Sequence, residues 1–362
     1  MLRPRWRSVL GSCWLCLASL GAADPIFAGR SFYVRQTLGD DHNDGLSAAH
    51  AWKSVSKLSR ALAAGDSAYV GPGLYREQVI LENGGTEAAP IRIIADTSGR
   101  QTGDPPGVVL IAGADPVDES IFVAHSAPGV FEAHLPERVV GAVEMDGAQY
   151  RYQGVLEPVR DVPYLDQVAE RPARFYYDMA EQVLYLHTSD GRHPSHHELE
   201  LIHRTAGIGM TGKPFVVVEG FTFRHQFDAG IEFWEGSSHG VALNNTAFDN
   251  LEVGIAIENV SGAVLLRNRL VGNHESQLLA IQSAYHAESN CFENGGEGRW
   301  TADLYYADRF PSLGLYQHAK GQDLASRSGS CGSAPGKVDV RDLHARSLSY
   351  VEAARRRLGS GS

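Results

Sequence analysis

The sequence predicts an all-β protein whose chain winds as a parallel β-helix, a solenoid of short strands. Three observations predict it: the composition, a repeat in the second half, and a column of asparagines at one turn of that repeat. The chain has 362 residues, of which 43% are hydrophobic, 21% are charged and 39 are glycine. Glycines between runs of Val, Ile and Phe are typical of short strands joined by turns, and a chain of this length can bury a sizeable core.

Residues 1–23 have the pattern of a signal peptide. Three arginines precede an apolar run that is too short to span a membrane, and small residues precede Asp24. We therefore expect an exported protein, either secreted or periplasmic. A lipoprotein attached through Cys13 is the alternative. No later stretch reaches the about 20 apolar residues of a membrane helix, so the sequence predicts no membrane span.

Residues 24–114 are expected to hold an entry strand, a capping helix and the first coils of the solenoid. The segment GDDHNDG, residues 39–45, is rich in calcium-type ligands, but position twelve of an EF-hand register is Ala51, where a bidentate Glu is needed. We interpret it as a turn built on Asp and Asn side chains. A helix near residues 52–63 would cover the open end of the solenoid. Its apolar face consists of Trp52, Val55, Leu58 and Leu62.

Residues 115–213 interrupt the pattern and are expected to form an insertion with β-hairpins. Residues 214–296 carry the repeat, whose spacing of roughly 22 to 25 residues is a solenoid period. Alternate side chains of a strand share a face, so aligned apolar residues should stack inside. The predicted inward columns are Phe223, Phe248, Val271 and Phe292; Ile231, Ile255 and Leu279; and Phe233, Ile257 and Ile281.

Asparagines recur at one turn of this repeat. Asn250, Asn273 and Asn294 align in successive coils, and His225 takes the same position in the first coil. Stacked amides can hydrogen-bond along the solenoid axis and satisfy the backbone of the turn. The column therefore predicts a structural ladder.

These features together resemble the right-handed parallel β-helix proteins of the pectin-lyase-like superfamily. The entry segment carries the resemblance, with Gly65-Asp66, Tyr69-Val70, Gly73 and Tyr75-Arg76-Glu77 at the start of the first coil, and so does RFYYDMAEQVLYLHTSDGRHPSHHELEL before the repeats. The resemblance implies a right-handed, single-stranded β-helix. It implies little about function, because this scaffold hosts lyases, hydrolases, epimerases and proteins without enzymatic activity.

Residues 297–362 are expected to form a C-terminal extension that ends in a helix. Its apolar side would contain Leu343, Leu348 and Val351. Two cysteines remain after removal of the signal peptide, Cys291 and Cys331. A pair of cysteines in an oxidising compartment favours one disulfide, with two unrelated free thiols as the alternative.

The net charge of −11 restricts the partners of the protein. Phosphate backbones require a basic surface, so the charge excludes nucleic acid as the expected partner. A polysaccharide or oligosaccharide remains, and an anionic sugar would need only a local cationic patch. We expect a monomer.

Outward side chains of the repeat form a candidate sugar site. Glu232 and Trp234 point out from one coil, and the alignment places Glu258 below Trp234 and Gln282 below that. Glu235 lies just beyond the strand, and Asp228 and Glu252 lie just before their strands. A tryptophan ring stacks on sugar faces, while acids and amides bind hydroxyls. Glu232 and Glu258, about 8 Å apart at the backbone, would form the acid–base pair of a glycosidase, unless they are ordinary solvated charges.

A lyase mechanism would instead use a basic residue. Arg267 and Arg269 share one strand face; Arg267 would act as base or carboxylate clamp, and Arg269 would bind substrate. The metal-binding acids and the Lys/Arg couple of related lyases have no counterpart in these coils. The sequence predicts no cofactor, although a calcium site of a geometry other than the EF-hand is left open.

The sequence therefore predicts an exported carbohydrate-active protein that acts on a polysaccharide as lyase, hydrolase or epimerase. The alternative is a carbohydrate-binding or cell-surface β-helix without catalytic activity.

Overall fold

The computed structural model describes residues 29–144, 151–152, 164–293, 301–303, 308–310, 312–321 and 323–331. The expected signal peptide, Asn294 and the expected C-terminal helix lie outside these residues.

Three long sheets, each with seven strands among the described residues, surround one core. Their strands pair in parallel, except at the last pair of sheet C. Sheet A consists of Ser31–Val34, Ser67–Val70, Ile91–Ala95, Val216–Glu219, Val241–Leu243, Ser261–Leu266 and Ala284–Glu288. Sheet B consists of Gly73–Tyr75, Val109–Ala112, Thr222–Arg224, Thr246–Phe248, Arg269–Val271, Cys291–Glu293 and Arg327–Ser328. Sheet C consists of Val79–Leu81, Ala206–Thr211, Ala229–Trp234, Val253–Glu258, Ser276–Ile281, Thr301–Asp303 and Asp308–Phe310.

The chain passes from sheet A to sheet B to sheet C and then begins the next coil. Each strand therefore pairs with the equivalent strand of the next coil, about 4.8 Å away, and the alternate inward side chains form one stacked core. A shift of a strand by one residue would exchange its inward and outward faces and bury its polar side chains. The register of each coil is therefore fixed by its apolar positions.

The N-terminal end is closed by short helical segments. The expected helix at 52–63 is shorter in the structure, with 3-10 turns at Ala48–His50 and Val55–Lys57 and an α-helix at Leu58–Ala61. Its apolar face joins the core of the coils as expected. Those buried residues are Trp52, Val55, Leu58 and Leu62.

The carboxylates of the acidic segment, residues 39–45, accept hydrogen bonds from nearby backbone N–H groups. Asp41 Oδ1 accepts hydrogen bonds from the N–H groups of Lys53 and Ser54, at 2.9 and 3.0 Å. Asp40 and Asp44 each accept a bond from the N–H two residues later. These carboxylates therefore hold the entry turn through backbone contacts.

The insertion lies between the sheet B strand Val109–Ala112 and the sheet C strand Ala206–Thr211, so the coils resume earlier than the expected residue 214. Its antiparallel three-stranded sheet contains Ala114–Pro116, Gly141–Glu144 and Leu199–Ile202. Its five-stranded sheet contains Val123–Ala124, Val130–His134, Arg151–Tyr152, Arg174–Asp178 and Val183–His187. The helical segments are Glu119–Ile121, Tyr164–Glu170 and Pro194–His196.

A helix at Leu313–Lys320 packs on the other end of the core. The Ser312 side chain caps its N-terminus, and Gly321, at φ 64°, ends it in the left-handed conformation that glycine adopts without strain. Leu313 and Tyr316 are buried with the core residues. The hydroxyls of Tyr316 and Tyr285 lie 2.6 Å apart, which joins this helix to the last coil of sheet A.

Each of the three predicted inward columns is wrong at one or two positions. In sheet B, Phe223 pairs with Ala247, and Ala247 pairs with Leu270, so Phe248 and Val271 point outward. In sheet C the third coil is one residue shorter than the second, and an error of one residue exchanges the faces of a strand. Leu278 and Ala280 therefore occupy the inward positions predicted for Leu279 and Ile281.

The asparagine ladder exists, but Gln226, not His225, precedes it. The N–H of Gln226 donates to Asn250 Oδ1 at 3.0 Å, and the N–H of Asn250 donates to Asn273 Oδ1 at 3.2 Å. A second ladder, which the sequence analysis missed, runs along the turn from sheet A to sheet B. It consists of Asn245, Asn268 and Asn290.

We expect Asn268→Ala to lower the free energy of unfolding by about 3 kcal/mol. Asn268 is 1% exposed, donates to Ala242 O at 2.9 Å and accepts from the N–H of Asn245. Each buried group that loses its partner costs about 1–3 kcal/mol. Urea denaturation would measure the change, with Asn259→Gly in an exposed turn as the control. Equal stability of the two variants would contradict the assignment.

Candidate functional site

The outward face of sheet C presents a buried carboxyl group. Ile231 and Phe233 belong to the core, so Glu232 and Trp234, which alternate with them, point outward. Glu232 is nevertheless only 6% exposed. Its Oε1 and Trp234 Nε1 are buried and have no hydrogen-bond partner among the described residues.

The neighbours of Glu232 across the sheet are small or apolar. Its column contains Ile80, Gly209, Ala256 and Leu279. A Cβ on Gly209 would lie 2.9 Å from Ile80 Cδ1 and 3.4 Å from Glu232 Oε2, so the missing side chain leaves room for the carboxyl group. The carboxyl group thus rests on a surface that cannot solvate its charge.

Further carboxylates precede the strands of sheet C. Successive backbone hydrogen bonds join Asp228 to Val253 and Glu252 to Glu275, which places Asp228, Glu252 and Glu275 in one column of adjacent coils. Neighbours in this column are about 4.8 Å apart at the backbone. Carboxylates at that spacing repel one another when all are ionised.

Burial raises the pKa values of three carboxyl groups, and repulsion from neighbouring carboxylates adds to the rise for two of them, Glu232 and Glu252. Burial, and then the charges of Asp228 and Glu252, raise the pKa of Glu232 to about 8. Burial, and then the charges of Asp228 and Glu275, raise the pKa of Glu252 to about 8. Burial raises the pKa of Asp228 to about 6. At pH 7, Glu232 is therefore mainly protonated and Asp228 mainly ionised.

The insertion stands directly beside these acids. Phe227 and Leu251, each one residue before an acid of the column, are buried in a cluster with insertion residues. The insertion residues of this cluster are Ala114, Val140, Val143 and Ile202. The insertion therefore forms a wall at one side of the carboxyl cluster, and Trp234 lies two residues beyond Glu232 on the other side.

The structure brings together some of the other predicted site residues. Glu258 pairs with Trp234 in the adjacent coil, as the alignment predicted. Ile281, not Gln282, follows in the next coil, because of the short third coil. Glu235 lies in the turn after the strand and accepts a hydrogen bond from Asn259 Nδ2 at 3.0 Å.

Arg267 and Arg269 are not part of this cluster. Arg267 lies in the turn between sheets A and B, and Arg269 begins a strand of sheet B, whereas the carboxyl groups belong to sheet C. Arg269 lies 3.7 Å from Glu293 Oε2. Cys291, which pairs with Arg269 in the next coil, forms a disulfide with Cys331.

A separate charged cluster joins the insertion to the coils. Glu200 in the insertion is 4% exposed, and its carboxylate contacts Arg76 at 2.8 Å, Arg224 at 3.3 Å and His225 Nδ1 at 2.8 Å. Burial alone would raise the pKa of Glu200, but hydrogen bonds from His225 and Arg76 and the charges of Arg224 and Arg76 lower it to about 2. Sequence reasoning missed this cluster because Glu200 belongs to the insertion, 124 residues after Arg76 and 24 residues before Arg224.

We expect Glu200→Gln to lower the free energy of unfolding by about 3–5 kcal/mol, because it leaves cationic groups buried without their counter-charge. Thermal or urea unfolding at pH 7 would measure the loss. Glu198→Gln changes an exposed carboxylate two residues away and serves as the control. Equal Tm values for the two variants would contradict a structural role for Glu200.

Within the described residues, no group of three or more His, Cys, Asp or Glu side chains is arranged to hold a metal ion. Among the same residues, no helix is long and apolar enough to cross a membrane.

The comparison with protein families agrees with the coil topology. Residues 188–303 match the family model described as a right handed beta helix region. The protein has a right-handed parallel β-helix fold. No curated protein matches the sequence of this β-helix.

Several solved structures resemble the chain at low sequence identity. The complex of XylC with xylose has 14% identity and a TM-score of 0.45, over 75% of this chain and 68% of that chain. A structure described as a glycoside hydrolase has 10% identity and a TM-score of 0.47, over 76% and 78%. The pectate lyase Pel9A has 12% identity and a TM-score of 0.40, over 77% and 51%.

Proposed function

We propose that this β-helix protein is an exported enzyme that hydrolyses a glycosidic bond of a polysaccharide on the outward face of sheet C. The observation that carries the proposal is the buried carboxyl group of Glu232 beside Asp228 and Glu252. Two carboxyl groups in different protonation states at one pH are what acid–base hydrolysis of a glycoside requires.

Each carboxyl group has a distinct role in the proposed reaction. Glu232, with its raised pKa, donates a proton to the leaving glycosidic oxygen as general acid. Asp228, which ionises at lower pH, accepts a proton from the attacking water as general base. Glu252, whose pKa is also about 8, is mainly protonated at pH 7 and repels an ionised Glu232 only as it loses its own proton at higher pH. Trp234 offers a ring face on which a sugar unit stacks.

The distribution of charge favours hydrolysis over elimination. The base of a lyase removes a proton from the sugar carbon next to a carboxylate of the substrate. A nearby cation must neutralise that carboxylate. Arg267, predicted as base or carboxylate clamp, lies in the turn before sheet B, and Arg269, predicted to bind substrate, lies in sheet B. The groups that raise the pKa of Glu232 are acidic, and its neighbours across sheet C are small or apolar. Glu258, one coil from Trp234, is then a further contact for sugar hydroxyls and is not needed as the catalytic partner.

The test is a panel of neutral and acidic polysaccharides assayed in two ways. We expect the reducing-sugar assay to detect new reducing ends and the ultraviolet assay to detect no unsaturated product. Ultraviolet absorbance from an unsaturated product would indicate a lyase. If no polysaccharide is cleaved but glycans bind, and Trp234→Ala abolishes this binding, the β-helix is a carbohydrate-binding protein and the proposed hydrolysis is wrong.

We expect a bell-shaped dependence of kcat/KM on pH, with limbs near pH 6 and pH 8. The acidic limb reports ionisation of Asp228, and the alkaline limb reports loss of the proton from Glu232. Initial rates between pH 4 and 10 would define both limbs. In Asp228→Asn the acidic limb should disappear with most of the activity; an unchanged profile would exclude Asp228 as the base.

A further inference from the structure

We infer that a groove on the outward face of sheet B binds an acidic sugar chain, at a place separate from the carboxyl cluster on sheet C. The identification of the ligand as a sugar rests on the proposed function. The groove has a volume of about 1040 Å³, and its surroundings include Arg267, Arg269 and Arg327.

The positions of the arginines follow from the register of the coils. Arg269 pairs with Cys291, and Cys291 pairs with Arg327, so the two arginines occupy one outward column two coil steps apart. Two steps correspond to about 10 Å. Arg267 lies in the turn at the edge of the same groove. The Cys291–Cys331 disulfide holds the last strand of sheet B, and therefore Arg327, against the preceding coil.

The acidic groups near the groove offset this charge only in part. Asp249 faces the groove, and burial raises its pKa, although His225 and Arg224 oppose that effect. Glu293 lies 3.7 Å from Arg269, whose side chain is still 46% exposed. Arg327 is exposed. A local concentration of cations therefore exists on a protein whose net charge is −11.

The rest of the groove fits a sugar chain better than a compact anion. The column that contains the arginines continues across the earlier coils as Leu74, Leu110, Thr222 and Thr246. From Leu74 to Arg327 this column crosses the whole of sheet B, a distance of about 29 Å at the spacing of adjacent strands. Outward Phe248 and Val271 offer apolar surface to sugar faces, and guanidinium groups bind carboxylates through paired hydrogen bonds.

The C-terminal residues 332–362 are the other candidate occupant, because they follow Cys331 at the end of the groove. Their sequence contains six Lys and Arg but three Asp and Glu residues, so they are basic. A basic segment is not complementary to a groove that carries three arginines. The charge balance therefore favours an acidic ligand from outside the chain.

Isothermal titration calorimetry of the full-length protein with hexagalacturonate tests the inference, with maltohexaose as the uncharged probe. The titrations use Glu232→Gln as the background so that turnover does not contribute heat. We expect hexagalacturonate, not maltohexaose, to bind this background, and Arg269→Gln/Arg327→Gln to weaken that binding at least tenfold. Raising NaCl from 20 to 300 mM should weaken it as well, because salt screens exposed charges. Arg92→Gln, on sheet A, is the matched control and should bind like the background.

The outcomes separate this inference from the proposed hydrolysis. The inferred groove is overturned if the Glu232→Gln background and the arginine variant bind hexagalacturonate equally. It is also overturned if the background binds hexagalacturonate and maltohexaose equally. Binding that is lost in Trp234→Ala but kept in the arginine variant assigns the acidic sugar to sheet C and also overturns it. Binding that follows the arginines, in a protein that cleaves no polysaccharide, supports the groove while the proposed hydrolysis fails. Circular dichroism of Arg327→Gln alone, a change at an exposed position, controls for misfolding.

Discussion

Glu232→Gln is expected to lower kcat by about 10²- to 10⁴-fold and to leave KM within a few-fold of the original value. An amide of the same shape cannot transfer a proton to the leaving oxygen, and loss of general acid catalysis typically costs this much. Because the side chain is neutral in both proteins at pH 7, the substitution should not disturb the packing around Gly209. Steady-state rates on the polysaccharide that the wild-type protein cleaves would measure the effect.

A matched control lies three residues away. Glu235→Gln changes a carboxylate in the turn beyond the strand, which contacts Asn259 outside the carboxyl cluster, and should alter kcat by less than about threefold. A substrate with an activated leaving group needs little protonation, so it should restore much of the activity of Glu232→Gln. If Glu232→Gln retains full activity on the unactivated polysaccharide, Glu232 is not the general acid.

The stability of the protein is expected to fall as pH rises from about 5 to 9, through the ionisation of Glu232 and Glu252. Their pKa values in the folded protein, about 8, lie above the value of 4.5 for a free Glu side chain. The folded state therefore holds these protons more tightly than the unfolded state does. The resulting stabilisation is fully present below pH 4.5 and is lost as pH rises through 8. At 1.36 kcal/mol per pKa unit, Glu232 accounts for on the order of 5 kcal/mol.

The double variant Glu232→Gln/Glu252→Gln should remove most of this dependence. Its Tm at pH 9 should exceed that of the wild-type protein by several degrees, while the two proteins should differ little at pH 5. Differential scanning calorimetry across this range would measure both values, with Glu235→Gln as the control that keeps the wild-type slope. A wild-type Tm that does not fall between pH 5 and 9 would show that the carboxyl cluster is solvated.

The repeat in the sequence located the coils but not always the face of each side chain. Ile231 and Phe233 align with Ile255 and Ile257, and the structure pairs them. The next coil is one residue shorter, so the same alignment fails at Leu279. Nothing in the local sequence reveals that shortening, because Leu278, Leu279 and Ile281 are all apolar. The register is decided by which residues fill the core beneath the previous coil.

The candidate site, too, could be predicted from the sequence only in part. The alignment of outward residues placed Glu232, Trp234 and Glu258 in neighbouring coils, and the observed register agrees. It could not show that Glu232 is buried, because that depends on Gly209 in the preceding coil and on the insertion beside Phe227. It also could not show that Arg267, the expected base of a lyase mechanism, lies away from Glu232. A solenoid coil turns through three sheets, so residues close in sequence can face different directions.

The sequence by itself determined the solenoid, its entry segment, the interruption before the repeats and a structural role for the asparagines, since all of these depend on periodic or local patterns. The tertiary structure alone decided the protonation states of the acids, the buried partners of Glu200 and the grouping of arginines on sheet B. Those properties arise from burial and from charges brought together by coils that are distant along the chain. Neither burial nor distance is encoded in the spacing of a single repeat.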